Sequence, residues 1–301
     1  MQWQKLGLLY CPEGVHPKLL THAANPLPIL LDGDVYRVFY SGRDEKNRSS
    51  VGFVDVDILK REIVYVHDRP VFEHGEENSF YSHGVSIGNW YESNGERYIL
   101  FMGWQCPPDA HWVGEIGRLA LGSDWSLSLD GNLPYMALDN VDPVSLSYPW
   151  VLRENDGSYR MWYGSTVTWD AGNGEMLHVI NQARSSDAQC WEKEGLAVPY
   201  ELNLAQAFSR PTVVGSASEG YHMWFSYRSG DKTTYRIGYA TSKDGGQWLL
   251  RLEDVGIGVS ASGWDSEMIE YPFVFAHKGQ WFMLYNGNGY GRTGFGLAVR
   301  N

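Results

Sequence analysis

Apolar residues recur along the chain in short runs, each bounded by glycine, proline, asparagine or aspartate. Runs of that length with turn residues between them predict β-strands rather than helices. The runs are also variants of one another. YRVFYSG (36–42), RYILFMG (97–103), YRMWYGS (159–165), YHMWFSY (221–227) and WFMLYNG (281–287) share an aromatic, apolar core ahead of a small or polar end. Their equivalent residues Phe39, Leu100, Trp162, Trp224 and Leu284 stand 61, 62, 62 and 60 residues apart. A unit held at so constant a period marks a repeat architecture.

Each unit holds more than one strand. Ahead of three of the runs lies a strand opened by X-Pro: YPWVL, RPTVV and YPFVF. A glycine-rich loop and a third strand follow, as in RIGYATSKDG, and a fourth strand begins with tryptophan in CWEKEGLAV and QWLLRLEDV. Two of these hairpins share Ser-x-Asp-x-x-x-Trp, at Ser185–Asp187–Trp191 and Ser242–Asp244–Trp248. Four strands per unit, repeated, predict an all-β five-bladed β-propeller with four-stranded blades. A β-sandwich would explain neither the period nor the termini. The last unit, ending in GFGLAVRN, is one strand short, while QWQKLGLLYCP (2–12) reads like CWEKEGLAVP (190–199) with Trp3 in the place of Trp191. The N-terminal strand is therefore expected to complete the last blade and close the ring. That gives a single domain over 1–301, with blades near 20–75, 80–132, 144–200, 206–256 and 266–301 plus 1–12.

Composition narrows the function. Hydrophobic residues make up 43% of the 301, with 13 Trp, 19 Tyr, 11 Phe and 34 Gly, which supports a large core of aromatic strands and glycine turns. The 36 acidic and 24 basic residues give a net charge of -12, which argues against a nucleic-acid partner. No apolar stretch approaches a membrane span, so membrane insertion is not expected. MQWQKLGLLYCPEG lacks a basic n-region and a long apolar h-region, so no signal peptide is read. Cys11, Cys106 and Cys190 cannot all pair and match no zinc spacing, which fits reduced thiols in a cytoplasmic protein.

In a propeller the inner strands begin at the central channel, and the loops between second and third strands return to the same face, so side chains converge there. By the repeat, one set heading the inner strands is Asn25, Ser86, Tyr148, Arg210 and Glu270. A set three residues earlier is His22, His83, Ser145, Ala207 and Glu267. The loops facing the same way supply Arg43, Asp44, Trp104, His111, Trp169, Asp170, His178, Arg228, Asp231, Asn286 and Arg292. Aromatic faces beside carboxylates, arginines and amides suit sugar rings, which have apolar faces and hydroxyl rims.

At this point the sequence resembles the arabinanase/levansucrase/invertase superfamily of five-bladed propellers, in blade length and in an N-terminal Asn/Asp–Pro motif, here Asn25–Pro26. KLGLLYCP, HAANPLP, YRVFYSGRDEKNRSSVGFVDVD and SEMIEYPFVF…MLYNGNGYGRTGFG are similar to uncharacterised propellers encoded among bacterial surface-polysaccharide genes. The resemblance implies inner-strand carboxylates: a base or nucleophile in the first blade, a general acid later and a third acidic modulator. Asn25, Tyr148 and Arg210 or Ser209 stand at those positions instead. Acidity is concentrated in the fifth blade, at Asp265, Glu267 and Glu270, where Glu270-x-Pro272 is similar to the superfamily's Glu-x-Pro acid motif. The expected function is a carbohydrate-active enzyme, glycoside hydrolase-like or glycosyl-transferring, acting on a sugar, sugar phosphate or activated sugar. The alternative is a non-catalytic glycan-binding or assembly propeller. Glu270 or Glu267 would transfer the proton, with His22 or His83 as the second group. Asn25, Arg43, Asp44, Trp104, Tyr148, Trp169, Arg210, Arg228, Tyr271 and Asn286 would bind substrate, the arginines through their planar forks. No cofactor is expected. His22, His83 and Glu267, equivalent by repeat, are the one candidate divalent-metal set.

Overall fold

The computed structural model describes residues 2–230 and 233–300, so Asp231 lies outside the described residues. The protein is almost entirely β-structure. The strands are β1 (Gln4–Tyr10), β2 (Thr21–Asp32), β3 (Val35–Arg43), β4 (Ser49–Asp57) and β5 (Glu62–Val66). Next come β6 (Gly84–Ser93), β7 (Glu96–Gln105), β8 (Val113–Leu121) and β9 (Leu127–Leu129). β10 (Leu146–Arg153), β11 (Tyr159–Thr168), β12 (Leu177–Ser185) and β13 (Glu192–Leu196) follow. Then come β14 (Ala207–Ser216), β15 (Gly220–Arg228), β16 (Arg236–Ser242) and β17 (Trp248–Leu250). β18 (Glu270–His277), β19 (Gln280–Asn286) and β20 (Phe295–Arg300) complete the order, with one short helical turn, α1 (Asn288–Gly291), between the last two.

Successive strands pair antiparallel in the order β2-β3-β4-β5, β6-β7-β8-β9, β10-β11-β12-β13 and β14-β15-β16-β17. The last group is β18-β19-β20-β1, so the N-terminal strand adds to the C-terminal sheet. The likeness of QWQKLG to CWEKEG is local as well as sequential. Gly7 and Gly195 both take positive φ, and both sit at a register shift beside the third strand of their group. A β-bulge of this kind needs a left-handed residue, which glycine adopts without strain. The groups touch through their first strands: β6 lies against β2 and β10, and β14 against β10 and β18. β18 also lies against β2. Single parallel bridges, Ser49 to Gly84 and His178 to Ala207, join neighbouring groups into longer sheets.

Burial follows strand position. β4, the third strand of its group, is buried along its whole length, whereas the fourth strands β5 and β13 are largely exposed and form the rim. Large aromatic side chains, among them Phe39, Tyr40, Phe101, Trp162, Phe208, Trp224 and Tyr285, fill the spaces between groups with almost no exposure. Pro26, Pro149, Pro211 and Pro272 fall at register shifts against the second strand, where a missing N–H leaves no ladder bond unmade.

The X-Pro pairs do more than open a strand. Asn25, Tyr148, Arg210 and Tyr271 each precede a proline, each has φ between 35° and 57°, and each falls at a register shift against the second strand. These four residues are therefore equivalent. Glu270 pairs with Asn286 as Ser147 does with Gly164 and Ser209 with Ser226. The set Asn25–Tyr148–Arg210–Glu270 expected from the repeat is thus one residue out in the last group, where the shorter spacing is absorbed ahead of the bulge.

Candidate functional site

A cavity of about 300 Å³ opens where the strand heads and the loops after the second strands meet. Its ionisable wall is set by Arg43 at the end of β3, Arg228 at the end of β15 and His178 on β12. Its aromatic wall comprises Trp104, Trp112, Tyr148, Phe208, Tyr235, Tyr271 and Tyr290. Ser86, Ser147, Ser209, Met102, Met176 and Cys106 complete it, and among the described residues the lining contains no carboxylate.

Five of the residues expected to bind substrate line this cavity: Arg43, Trp104, Tyr148, Arg228 and Tyr271. The Tyr148 hydroxyl donates to the Tyr271 hydroxyl at 3.2 Å, and the Trp104 indole N–H donates to Ser49 Oγ at 3.2 Å. Burial pushes the Tyr271 phenol well above its ordinary pKa, so it remains a neutral hydrogen-bonding group. Arg228 is held by Glu175 at 2.7 Å and lies over the Tyr235 ring at 4.7 Å. Arg43 makes no ion pair or side-chain hydrogen bond among the described residues, although it is half-buried.

Glu270 lies behind this wall. It is fully buried, and neither carboxyl oxygen has a hydrogen-bond partner. Its pKa is raised well above the ordinary carboxyl value by burial, against the opposing pull of Arg43 and Arg228. An uncompensated carboxylate in such a place is costly, so burial favours the protonated form. Arg210, the partner expected for it, is elsewhere engaged.

Arg210 is a strap. Its guanidinium donates to the carbonyls of Tyr271 at 2.6 Å and Pro26 at 2.8 Å, binding β14 to β18 and β2, and burial brings its pKa down to about 9. Asn286 is another: its amide donates to the carbonyls of Ala23 and Gly294 and accepts from the Asn25 N–H at 2.9 Å. Asn25 is buried beside it. Asp44 closes its own turn, accepting from the backbone of Lys46 and Arg48 and from the Arg48 guanidinium. Burial raises its pKa, but those bonds outweigh burial and leave it below the usual range. Trp169 stacks on His111 at 4.5 Å and meets Trp112 edge-on at 4.9 Å, so it backs the cavity wall without lining it. Asp265 clasps Lys5 at 2.7 Å and accepts from Tyr285, fastening β1.

The remaining proton-transfer candidates do not assemble. Glu267 is exposed, and its backbone is fixed by Asn288, Thr234 and Arg236. His22 is buried with its ring bonded to Thr21 Oγ1, and burial together with Arg43 and Arg292 brings its pKa down to about 4. His83 sits half-buried beside Trp104. Among the described residues no group of three His, Cys, Asp or Glu is placed to hold a metal ion, which overturns the His22–His83–Glu267 set. A lone histidine at a strand head has neighbours chosen by packing, and the repeat equivalence of three residues does not bring their tips together.

Several lining residues escaped the sequence reading. Trp112, Met176 and Tyr235 each immediately precede a third strand, so the repeat register itself marks that position. His178, expected only as a loop residue, is buried between Ser147 Oγ and Thr166 Oγ1, each at 2.7 Å, and burial brings its pKa down to about 4. Gly164 makes that pair possible: a Cβ there would stand 2.1 Å from Ser147 Oγ and 2.4 Å from His178 Nε2.

Two uncharacterised proteins of Mycobacterium tuberculosis strains, Rv1502 and MT1551, are each 43% identical to the present sequence over 99% of both lengths. Among solved structures, a glycoside hydrolase superposes with a TM-score of 0.72 at 13% identity, covering 98% of this protein and 90% of that one. A thermostable family-43 glycoside hydrolase gives 0.69 at 16% identity, covering 94% and 89%. An endo-arabinase from Bacteroides thetaiotaomicron gives 0.64 at 13%, covering 94% and 95%. No family model matches the sequence. The structural likenesses establish a β-propeller fold of the glycoside-hydrolase kind and extend no further than fold.

Proposed function

The protein belongs to the family of those two mycobacterial proteins, and we propose that it is a carbohydrate-active enzyme that binds a sugar or activated sugar in the aromatic cavity. The observation that carries this reading is the fully buried, unpartnered carboxyl of Glu270 beside a cavity with seven aromatic rings and two arginines on its wall. A carboxylic acid kept neutral near pH 7 is what a general acid requires. Glu270 would serve as that acid once substrate shifts the covering side chains. Its neighbours Tyr148 and Tyr271 would orient the sugar, and Arg43 and Arg228 would hold its polar substituents. A strand order of five groups, with β1 in the last, supports a five-bladed ring closed by the N-terminal strand. A role in bacterial surface-polysaccharide metabolism rests on the resemblance of the four long segments, and a cytoplasmic site of action on the three free thiols.

One observation favours a second reading, a glycan-binding or assembly propeller without turnover. Among the described residues the cavity wall holds no carboxylate, so these lining residues do not supply the pair that two-carboxylate hydrolysis uses. Glu270→Gln separates the two. An enzyme should lose turnover by roughly 10²–10⁴-fold on a substrate found by screening sugars and nucleotide sugars, while binding persists. Binding of the same sugars with no turnover by the parent protein would establish the second reading.

A further inference from the structure

We propose that the cavity takes an acidic sugar, one bearing a single ionised group, and that Arg43 receives that group. This rests on the carbohydrate reading above and names the substrate class.

The balance of charge over the cavity points to such a ligand. The protein as a whole carries -12, yet among the described residues no aspartate or glutamate lines the cavity. Its two lining cations differ in one respect. Arg228 already has a counter-ion in Glu175 at 2.7 Å, with both side chains largely buried. Arg43 has none among the described residues. The nearby histidines His22 and His178 are neutral at pH 7, because burial holds both pKa values near 4. Glu270 is sealed from solvent with no hydrogen-bond donor to its oxygens, and burial favours its uncharged form against the pull of Arg43 and Arg228. Among the described residues Arg228 and Glu175 cancel, and one positive charge is left at Arg43.

A half-buried cation with no partner has lost part of its hydration and gained nothing for it. A ligand oxyanion restores the balance, and a neutral sugar leaves the cost standing. Arginine suits the role because its fixed fork meets a carboxylate or phosphate with two parallel hydrogen bonds. The remaining wall suits the rest of such a ligand. Trp104, Trp112, Tyr148 and Tyr235 offer aromatic faces, and Ser86 and Ser209 offer hydroxyls. A volume of about 300 Å³ corresponds to roughly ten water molecules, the scale of one sugar ring with its acidic substituent. The acidic exterior repels anions at long range, so the local positive site represents selection at the cavity rather than bulk attraction.

Tryptophan fluorescence, reported by Trp104 and Trp112, gives the test. The full-length protein is titrated with acidic monosaccharides (glucuronate, galacturonate, glucose 6-phosphate) and with glucose and galactose as neutral counterparts, then with malonate as a sugar-free anion. The proposal expects at least one acidic sugar to bind tenfold or more tighter than its neutral counterpart. It also expects Arg43→Met to remove that advantage and Arg43→Lys to keep part of it. The uronates and the phosphate identify which acidic group is taken. Neutral sugars that bind as tightly as acidic ones, or an advantage that survives in Arg43→Met, would overturn the acidic class and leave the carbohydrate reading intact. Malonate binding as tightly as any acidic sugar would retain the Arg43 anion site and remove the carbohydrate reading. A ligand-independent arm uses Cys106, an exposed thiol on the cavity lining whose pKa is raised by partial desolvation against the opposing pull of nearby Arg43. Anionic iodoacetate relative to neutral iodoacetamide should favour Cys106 several-fold over the exposed Cys190, and Arg43→Met should level the two ratios. Equal ratios at both thiols, or failure of every acidic sugar to bind, would refute the proposal.

Discussion

Replacing Glu270 by glutamine should change the stability of the fold in a pH-dependent way, with a sign opposite to that of an ordinary surface carboxyl. In the folded protein the group is completely buried, unpartnered and raised well above its ordinary pKa. In the unfolded state it titrates near 4.3. Above that value the unfolded state has released a proton that the folded state still holds, so folding becomes less favourable as pH rises toward the folded-state pKa. Below the unfolded value the penalty vanishes. While the folded group keeps its proton the slope is about 1.4 kcal/mol per pH unit, so the wild type should lose stability steadily from pH 5 upward until the folded-state pKa is reached. Glutamine has nearly the same shape and no titration. It replaces one unpaired neutral polar group with another, so at pH 5 the two proteins should agree to within roughly 1 kcal/mol. At pH 7 the variant should be the more stable, by a margin that grows with pH until the folded-state pKa is reached. Urea unfolding at half-unit intervals from pH 5 to 8 measures this as the difference in unfolding free energy between the two proteins, which cancels the titration of every other group. A constant difference across that range would show that Glu270 is ionised in the folded state and would remove the basis for assigning it as an acid.

Three further outcomes follow from the same geometry. His22 and His178, with pKa values brought from 6.5 down to about 4, contribute stability that is complete above pH 6.5 and lost as pH falls toward 4. Each costs up to about 3 kcal/mol at the acid end, so His178→Gln should flatten the urea midpoint between pH 6.5 and 4, and an unchanged slope would contradict it. Deleting residues 1–10 removes the β1–β20 ladder, the buried Trp3 against Trp224 and the Lys5–Asp265 pair, and should cost at least about 3–5 kcal/mol in chemical denaturation. A truncated protein with the parent's melting temperature would refute the role given to that strand. Asn286→Ala removes the side chain that pairs the Asn25 N–H and the Ala23 carbonyl, and one of the two donors to the Gly294 carbonyl, which should cost about 2–4 kcal/mol in melting experiments. Ligand affinity in the cavity should be preserved wherever the variant is folded.

The amino-acid sequence by itself determined the strands, their grouping and the pairing of the two ends. Each of these depends on local pattern: buried runs, glycine turns, and a Trp–x–Lys–x–Gly segment that makes the same bulge at residues 3–7 and 191–195. It also identified the segments from which the cavity is built, because a repeat brings equivalent segments to the same end of the molecule. Which side chains reach the cavity was decided only in three dimensions. At each X-Pro bulge a left-handed residue interrupts the two-residue alternation, so a single step in register separates a lining tyrosine from a sealed carboxyl, as Tyr271 and Glu270 show. Arg210, Asn286 and Asp44 carry polar groups of the right kind in the right segments, but buried carbonyls and N–H groups from the surrounding backbone claim their hydrogen bonds. Arg43 is left without a partner for the same reason that Glu270 is: ion pairing depends on where side-chain tips meet, and strand periodicity sets only where their Cα atoms lie.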